Sequence, residues 1–118
     1  MEVRSKREAK DLVGSKKGPM VIFFYWNECG HCEAMMEPWK NIMSQMSDVR
    51  MVKMESRYIP ESLGINGFPT FWVIKSDSEE PYVISGQMEE AQLMSEIQKG
   101  LGRKRGGRRS RRLTRRRR

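Results

Sequence analysis

The sequence predicts an α/β fold in which a mixed sheet of about four strands is flanked by helices. The continuous apolar run 20–26 is rich in aromatic and β-branched residues, which indicates a buried central strand. Apolar side chains then recur every three or four residues from 32 to 46, which predicts an amphipathic helix. Two short apolar runs, 70–74 and 82–84, flank the polar stretch 76–81 and predict an antiparallel hairpin. A strand, a crossover helix and further strands give a sheet covered by helices.

The N-terminal half should contain two helices around the first strand. Ser5 and Glu8 have the spacing of a capping box, which predicts a helix that continues to Val13. Gly14 is expected to end that helix in a left-handed conformation. In the second helix, Pro38 should introduce a kink, because proline lacks the backbone N–H that a helix interior requires.

The remaining elements complete the sheet and its second helical layer. Residues 49–54 are expected to form the second strand, and residues 60–63 a short helical turn. The last helix should cover residues 87–99, because Leu93 and Ile97 share one face and acidic residues begin it. Gly100 is expected to end this helix.

Charge divides the chain into two parts. The length of 118 residues favours one domain, and the net charge of +8 conceals a strong asymmetry. Residues 1–102 hold twelve Lys or Arg against all fifteen Asp and Glu, a net charge of −3, whereas residues 103–118 hold eleven positive charges and no acid. We therefore predict a folded domain over 1–101 and a basic tail over 102–118. The cations of the tail are Arg103, Lys104, Arg105, Arg108, Arg109, Arg111, Arg112, Arg115, Arg116, Arg117 and Arg118.

The tail lacks apolar periodicity, so we expect it to be disordered and to bind a polyanion, either nucleic acid or an acidic protein. Such binding would be blind to base sequence, because arginine contacts to phosphate carry no sequence information. A solubilising extension and a nuclear-targeting signal are the alternative interpretations of the same residues.

Some classes of protein are disfavoured by the sequence. No run of about 18 apolar residues occurs, so we expect no membrane partner. The charged N-terminus has no apolar segment behind it and does not resemble a secretory signal. We therefore expect a location in the cytoplasm, the nucleus or a virion, rather than in the endoplasmic reticulum. We also expect a monomer.

The only two cysteines, Cys29 and Cys32, are separated by Gly30 and His31 at the predicted strand-to-helix junction. Two thiols at this spacing can close and reopen a small disulfide ring. Cys29 should lie at the helix N-terminus, where free N–H groups and the helix dipole favour a thiolate. A protonated His31 would add to that effect, and Glu28 would oppose it.

Cys32, one turn further into the helix, should be more buried and act as the resolving thiol. A zinc site within one chain is disfavoured, because a structural site needs four ligands and this chain has two cysteines and one histidine. We expect neither a metal nor another cofactor beyond the Cys29–Cys32 disulfide itself. An inert cysteine pair, an untuned exposed His31 and a metal shared between two chains remain as alternatives.

Two motifs carry a family resemblance. The sequence CGHC at 29–32 is the active-site motif of protein disulfide isomerase domains, and Phe24 and Tyr25 precede it as they do there. The segment 63–70, LGINGFPT, closely matches the family segment that contains a cis-proline. Over residues 5–100 the chain thus resembles the thioredoxin superfamily, and in particular single-domain disulfide isomerase-like proteins. With its basic tail, it also resembles the small thioredoxin-like proteins of large DNA viruses.

The resemblance implies a thioredoxin-like fold and disulfide exchange in protein substrates, with Cys29 as nucleophile and Cys32 as resolving thiol. It further implies that Gly67, Phe68 and cis-Pro69 bind the substrate backbone. The histidine between the cysteines points to an oxidant or isomerase rather than a reductant. The alternative function is a polyanion-binding or virion structural protein in which the fold serves mainly as a scaffold.

This chain departs from the family at three positions. Glu28 stands where the family usually has Trp, and Phe23 stands where it usually has a buried carboxylate. Pro38 follows the second cysteine by six residues rather than five. The missing acid bears directly on proton transfer at Cys32, for which Glu28 or water are the candidate substitutes.

Overall fold

The computed structural model describes residues 1–15, 18–75 and 80–103. These ranges contain four α-helices and four strands, with two short 3₁₀ turns between the second and third strands, Ser56–Tyr58 and Glu61–Leu63. The helices are α1 Lys6–Ser15, α2 Gly30–Ala34, α3 Met36–Gln45 and α4 Glu90–Gly100. The strands are β1 Met20–Tyr25, β2 Arg50–Glu55, β3 Thr70–Ile74 and β4 Tyr82–Ser85.

The four strands form one mixed sheet in the order β2-β1-β3-β4. β1 and β2 are parallel, and their last residues, Tyr25 and Glu55, lie opposite each other. β3 is antiparallel to β1, and β4 is antiparallel to β3. This topology confirms the predicted mixed α/β fold. We call the side of the sheet where β1 and β2 end the carboxyl edge, and the opposite side the amino edge.

The N-terminal residues protect the outer side of β2. The backbone N–H of Val3 donates to the carbonyl of Lys53 at 2.9 Å, and the N–H of Lys53 donates to the carbonyl of Met1 at 2.9 Å. Edge strands expose unpaired backbone groups, so this short parallel pairing satisfies part of the β2 ladder. No helix in the described ranges is long and apolar enough to cross a membrane.

Helices on both faces bury β1 completely, as predicted for a central strand. Alternate residues of β1 enter two separate cores, because successive side chains of a strand point to opposite faces. Phe23 packs with Trp39, Phe71 and the inner residues of α3 and α4. Phe24 packs with Trp72 and the inner residues of α1. The domain therefore has a continuous apolar layer on either side of its central strand.

The C-terminal ends of α1 and β1 differ from the prediction, whereas the start of α1 agrees with it. The amide of Glu8 donates to Ser5 Oγ at 3.1 Å, so the cap is present. Gly14 does not end α1, which continues to Ser15, and Gly14 is not among the glycines with positive φ. β1 ends at Tyr25, and Trp26 leaves the sheet with 44% of its surface exposed.

The break in the second helix lies at Met35, three residues before Pro38, where α2 ends and α3 begins. Proline removes the hydrogen bond to the residue four positions earlier, which is Ala34, so the interruption falls on the preceding turn. Pro38 itself lies in the first turn of α3, where a helix leaves its N–H groups unpaired.

The last helix begins three residues later than predicted, at Glu90 instead of Gln87, and ends at Gly100 as predicted. Gly102, with φ of 75°, is the glycine in left-handed conformation beyond the helix. Gly100 is required for another reason: a Cβ there would lie 2.7 Å from Cβ of Val73. Of the predicted polar turn, residues 76–79 lie outside the described residues, and so do residues 104–118 of the basic tail.

Candidate functional site

The loop after β1 brings Cys29 to the carboxyl edge. A turn over residues 26–29 is closed by the Cys29 N–H, which donates to the Trp26 carbonyl at 3.0 Å. Cys29 is the N-cap of α2, with extended backbone angles (φ −99°, ψ 115°). Its Sγ accepts a hydrogen bond from the Cys32 amide at 3.1 Å. A sulfur at a helix start that accepts a backbone N–H is placed where negative charge is favoured.

The two thiols lie in different environments. Both are free, but Cys29 is partly exposed, whereas Cys32 retains only 1% of its surface. Burial, together with the hydrogen bond to Cys29, raises the pKa of the Cys32 thiol to about 12, although a backbone contact with Trp26 acts in the opposite direction. The arrangement pairs an accessible thiol with a buried one that keeps its proton.

Aromatic packing replaces the usual buried acid beside Cys32. Phe23 is fully buried, with its ring centroid 4.7 Å from that of Phe71 and 5.3 Å from that of Trp39. Cys32 belongs to this same apolar cluster. The sequence difference at Phe23 therefore gives Cys32 an apolar surround on that side.

The proline segment lies beside Cys29. The Phe68–Pro69 peptide bond is cis, and Cys29 Sγ lies 3.8 Å from the Phe68 carbonyl oxygen. The Thr70 hydroxyl donates to the Gly67 carbonyl at 2.7 Å and holds the loop at the start of β3. The Gly86 amide donates to the Pro69 carbonyl at 3.0 Å, which ties the end of β4 to the same place.

His31 is exposed on α2 and faces away from the core. Its Nδ1 lies 2.7 Å from Oε1 of Gln87, in the segment between β4 and α4. Gly30 begins α2, and a Cβ there would meet nothing within 4 Å. The structure thus gathers Cys29, His31, Cys32 and the cis-proline segment at the carboxyl edge, although Phe68 follows Cys29 by 39 positions in the sequence.

A groove of about 850 Å³ runs beside His31 and the cis-proline. Ala34, Pro38, Phe68, Pro69 and Met88 supply its apolar lining. Three acidic residues, Glu37, Glu89 and Glu90, also line it, and we call them the groove glutamates. Among the described residues that line it, none is Lys or Arg.

The sequence alone assigns Glu89 and Glu90 only to a helix start. The available sequence signal is Gly86, which follows the predicted last strand and lies three residues before Glu89. A second feature that sequence reasoning missed is Glu55, a carboxylate with only 5% of its surface exposed at the end of β2. A glutamate at a strand end resembles any solvated charge in sequence, so nothing marks it before folding.

The start of the basic tail lies at the other side of the molecule. The Arg103 guanidinium lies 2.7 Å from the Asp48 carboxylate, just before the start of β2 at the amino edge. At roughly 3.3 Å per residue, β2 separates the two edges by about 20 Å. The structure therefore does not bring Arg103 together with the cysteine pair. The other predicted tail residues lie outside the described part of the chain.

Within the described residues, no three His, Cys, Asp or Glu side chains are grouped so that they could hold a metal ion.

Comparison with known proteins agrees with this geometry. A family model described as thioredoxin matches residues 1–99. Among solved structures, Plasmodium falciparum thioredoxin superposes with a TM-score of 0.71 at 21% identity, over 83% of this chain and 96% of that chain. Schistosoma mansoni thioredoxin gives 0.68 at 24% identity, over 84% and 95%. Mitochondrial thioredoxin 3 of Saccharomyces cerevisiae gives 0.66 at 23% identity, over 84% and 93%.

These structural likenesses, at low identity, show the fold, and the family model covers most of the chain. Thioredoxins exchange thiols and disulfides through a cysteine pair and act without a bound cofactor. The chain, with its cysteine pair and cis-proline at the carboxyl edge of a thioredoxin-like sheet, belongs to the thioredoxin family of thiol–disulfide oxidoreductases.

Proposed function

We propose that this protein forms and rearranges disulfides in protein substrates, with Cys29 as the attacking thiol and Cys32 as the resolving thiol. The observation that carries the proposal is the position of Cys29 Sγ. It is partly exposed, accepts the Cys32 amide at 3.1 Å and lies 3.8 Å from the Phe68 carbonyl next to cis-Pro69.

In the first step, the Cys29 thiolate attacks one sulfur of a substrate disulfide. The substrate S–S bond breaks, a Cys29–substrate disulfide forms, and the second substrate sulfur leaves as a thiolate. Cys32 then loses its proton and attacks Cys29 Sγ, which releases the substrate as a dithiol and leaves the Cys29–Cys32 disulfide. The reverse sequence transfers a disulfide to the substrate, with two electrons passing to the cysteine pair.

Isomerisation uses only the first intermediate. A second thiol of the same substrate attacks the mixed disulfide, a new substrate disulfide forms, and Cys29 leaves as a thiolate. No electrons are exchanged overall. The groove beside His31 and Pro69 supports this role, because its volume of about 850 Å³ and its partly apolar lining suit an unfolded segment.

Trapping separates the roles of the two thiols. Cys29→Ser is expected to abolish reactivation of scrambled ribonuclease, whereas Cys32→Ser is expected to accumulate a mixed disulfide with the substrate. If Cys29→Ser retained reactivation, or if the trapped species formed through Cys32, this assignment would be wrong.

The isomerase-like character rests on His31 between the cysteines. Its imidazolium is expected to stabilise the Cys29 thiolate and so make the disulfide a stronger oxidant. Glutathione titration should give a potential nearer ~−180 mV than ~−270 mV, the values typical of disulfide isomerase and thioredoxin. His31→Ala should lower the potential, and a wild-type value close to that of thioredoxin would reject the oxidant assignment.

A second proposed activity is polyanion binding by the tail. The tail would either tether the enzyme to the polyanion, or polyanion binding would be the main function and the folded domain would serve as a scaffold. The position of Arg103 at the amino edge supports it, because a ligand bound there would leave the groove open. If binding involves ~6–10 phosphates, affinity for duplex DNA should fall by ~10³–10⁵ between 50 and 200 mM salt.

Deletion of residues 104–118 separates the two activities. It should remove DNA binding without changing ribonuclease reactivation. DNA binding that survives the deletion would exclude the tail as its source.

A further inference from the structure

Glu55 is a buried charge at the same edge of the sheet as the cysteine pair. It is the last residue of β2, lies opposite Tyr25 in the parallel ladder and keeps only 5% of its surface exposed. An unpaired carboxylate at this depth would cost several kcal/mol, so its hydrogen-bond partners decide what it does there.

Four donors converge on the Glu55 carboxylate. Oε1 accepts the Arg57 amide at 2.8 Å and the Arg57 Nε at 3.0 Å. Oε2 accepts the Ser56 hydroxyl at 3.1 Å and the Asn27 amide at 3.2 Å. Burial acts to raise the pKa of Glu55, but the hydrogen bonds from Arg57 and Asn27 outweigh it, so the pKa lies below its ordinary value and the group is ionised.

Of these donors, Asn27 is the one distant in sequence, and it belongs to the turn that presents Cys29. The turn over residues 26–29 is closed by the Cys29 N–H on the Trp26 carbonyl, and Asn27 is its first central residue. The bond from Asn27 therefore ties this turn to the end of β2. Cys29 Sγ, immediately after the turn, must meet the Cys32 amide and approach the Phe68 carbonyl at the same time.

We infer that Glu55 is a positioning residue for Cys29: its carboxylate holds the Asn27 amide and thereby fixes the turn that places the attacking sulfur at the start of α2. This role rests on the proposed function, in which Cys29 is the nucleophile. It differs from that of a buried proton acceptor, because every contact described for Glu55 is made to donors outside the cysteine pair.

Positioning and charge make opposite predictions for Glu55→Ala. Loss of a nearby negative charge would favour the Cys29 thiolate and speed its alkylation at pH 7. Loss of the turn anchor would move Sγ out of line with the helix start and slow alkylation, by about fivefold if an interaction of helix-terminus size is lost. We expect the slower rate, with the midpoint of the alkylation pH profile at higher pH.

The experiment follows three readouts in the full-length reduced protein. They are iodoacetamide alkylation of Cys29 between pH 5 and 10, deuterium exchange of the Asn27 amide by NMR, and exchange with a peptide disulfide. In Glu55→Ala, the Asn27 amide should exchange at least tenfold faster. Glu61→Ala is the matched control, because it removes an exposed glutamate from the neighbouring 3₁₀ turn and should leave all three readouts unchanged.

Glu55→Gln supplies a second variant that keeps the side-chain shape and one accepting oxygen. It should show a smaller fall in alkylation at pH 7, about twofold, with faster Asn27 exchange, and it carries the test if Glu55→Ala does not fold. Faster alkylation in both variants would assign Glu55 a charge effect and overturn the inference. A lower melting temperature with unchanged alkylation and peptide exchange would overturn it too, since Glu55 would then only stabilise the fold.

Alkylation and amide exchange need no substrate, so they test the positioning role independently of the proposed function. A wild-type protein that alkylates at Cys29 but does not exchange with any peptide disulfide would refute the function. The comparison between Glu55→Ala and wild type would still decide what Glu55 does to the turn.

Discussion

Resolution of the mixed disulfide should be the strongly pH-dependent half of the exchange cycle. Burial is the largest cause that raises the pKa of Cys32 to about 12. Burial persists in the mixed disulfide, so Cys32 is almost entirely protonated at pH 7, and its ionised fraction grows about tenfold per pH unit while the pH lies below its pKa. The thiolate is the attacking species. Release of substrate from Cys29 should therefore accelerate by about tenfold per pH unit between pH 6 and pH 9.

This step can be observed alone. A mixed disulfide between Cys29 and thionitrobenzoate, prepared in acid, is moved rapidly to the test pH, and the coloured thiolate is followed by its absorbance. The logarithm of the release rate should rise with a slope near one against pH. Cys32→Ser is the control and should release the chromophore only through added thiol.

The pH dependence is expected because Cys32 lies in apolar surroundings, so a flat profile would refute it. A rate independent of pH between 6 and 9 would mean that a base near Cys32 removes its proton, despite the aromatic cluster around Phe23. Glu28→Gln distinguishes the remaining carboxylate candidate. We expect that variant to keep the same slope, whereas a tenfold slower release would identify Glu28 as the base.

Three further predictions concern the groove and the stability of the fold. Each of the groove glutamates, at roughly 6 Å from a bound cation in 0.15 M salt, contributes a few tenths of a kcal/mol, so a peptide disulfide with a Lys beside its Cys should react about fivefold faster than one with an uncharged Gln there. Substitution of all three groove glutamates by Gln should abolish this difference in a stopped-flow comparison. Folded Cys32 keeps a proton that unfolded Cys32 loses above pH 9. The free energy of unfolding, measured by urea titration, should therefore fall by about 1.4 kcal/mol per pH unit between pH 9 and 10. Cys32→Ala should make this fall less steep. In thermal melts, Gly100→Ala should destabilise the domain by about 1–2 kcal/mol, because its Cβ would lie 2.7 Å from Val73. Gly14→Ala is the comparison, because a Cβ there has no atom within 4 Å, and it should be neutral or stabilise the domain by up to about 1 kcal/mol.

Local pattern was sufficient to predict most of the fold. An unbroken apolar run has few alternatives to a buried strand, and β1 is buried at every position. The hairpin of β3 and β4 follows from two apolar runs around a polar stretch. The meeting of Cys29 with the Phe68–Pro69 segment needed the family resemblance, because no local rule joins residues 39 positions apart.

The errors come from effects that act beyond a residue and its neighbours. The helix break falls at Met35 because the hydrogen bond that Pro38 removes belongs to the previous turn. Gly14 remains helical, and Gly100 is required by contact with Val73 on another element rather than by its own backbone angle. Glu55 was missed for the same reason, because the Asn27 amide that donates to its carboxylate lies 28 positions earlier in the chain.

Glu55 and Phe23 affect different steps of the proposed exchange, the attack by Cys29 and the attack by Cys32. The chain places its buried carboxylate where it holds the turn before Cys29, and it fills the family's usual acidic position with an aromatic ring. In the proposed mechanism, Cys29 is then well positioned for the first attack, whereas Cys32 must lose its proton before it can make the second attack. A slow second step prolongs the mixed disulfide, and a longer lifetime gives other thiols of the substrate more time to attack it. Such a balance favours rearrangement of disulfides over their net reduction, which is why the pH slope of resolution and the yield of reactivated ribonuclease should be measured on the same preparation.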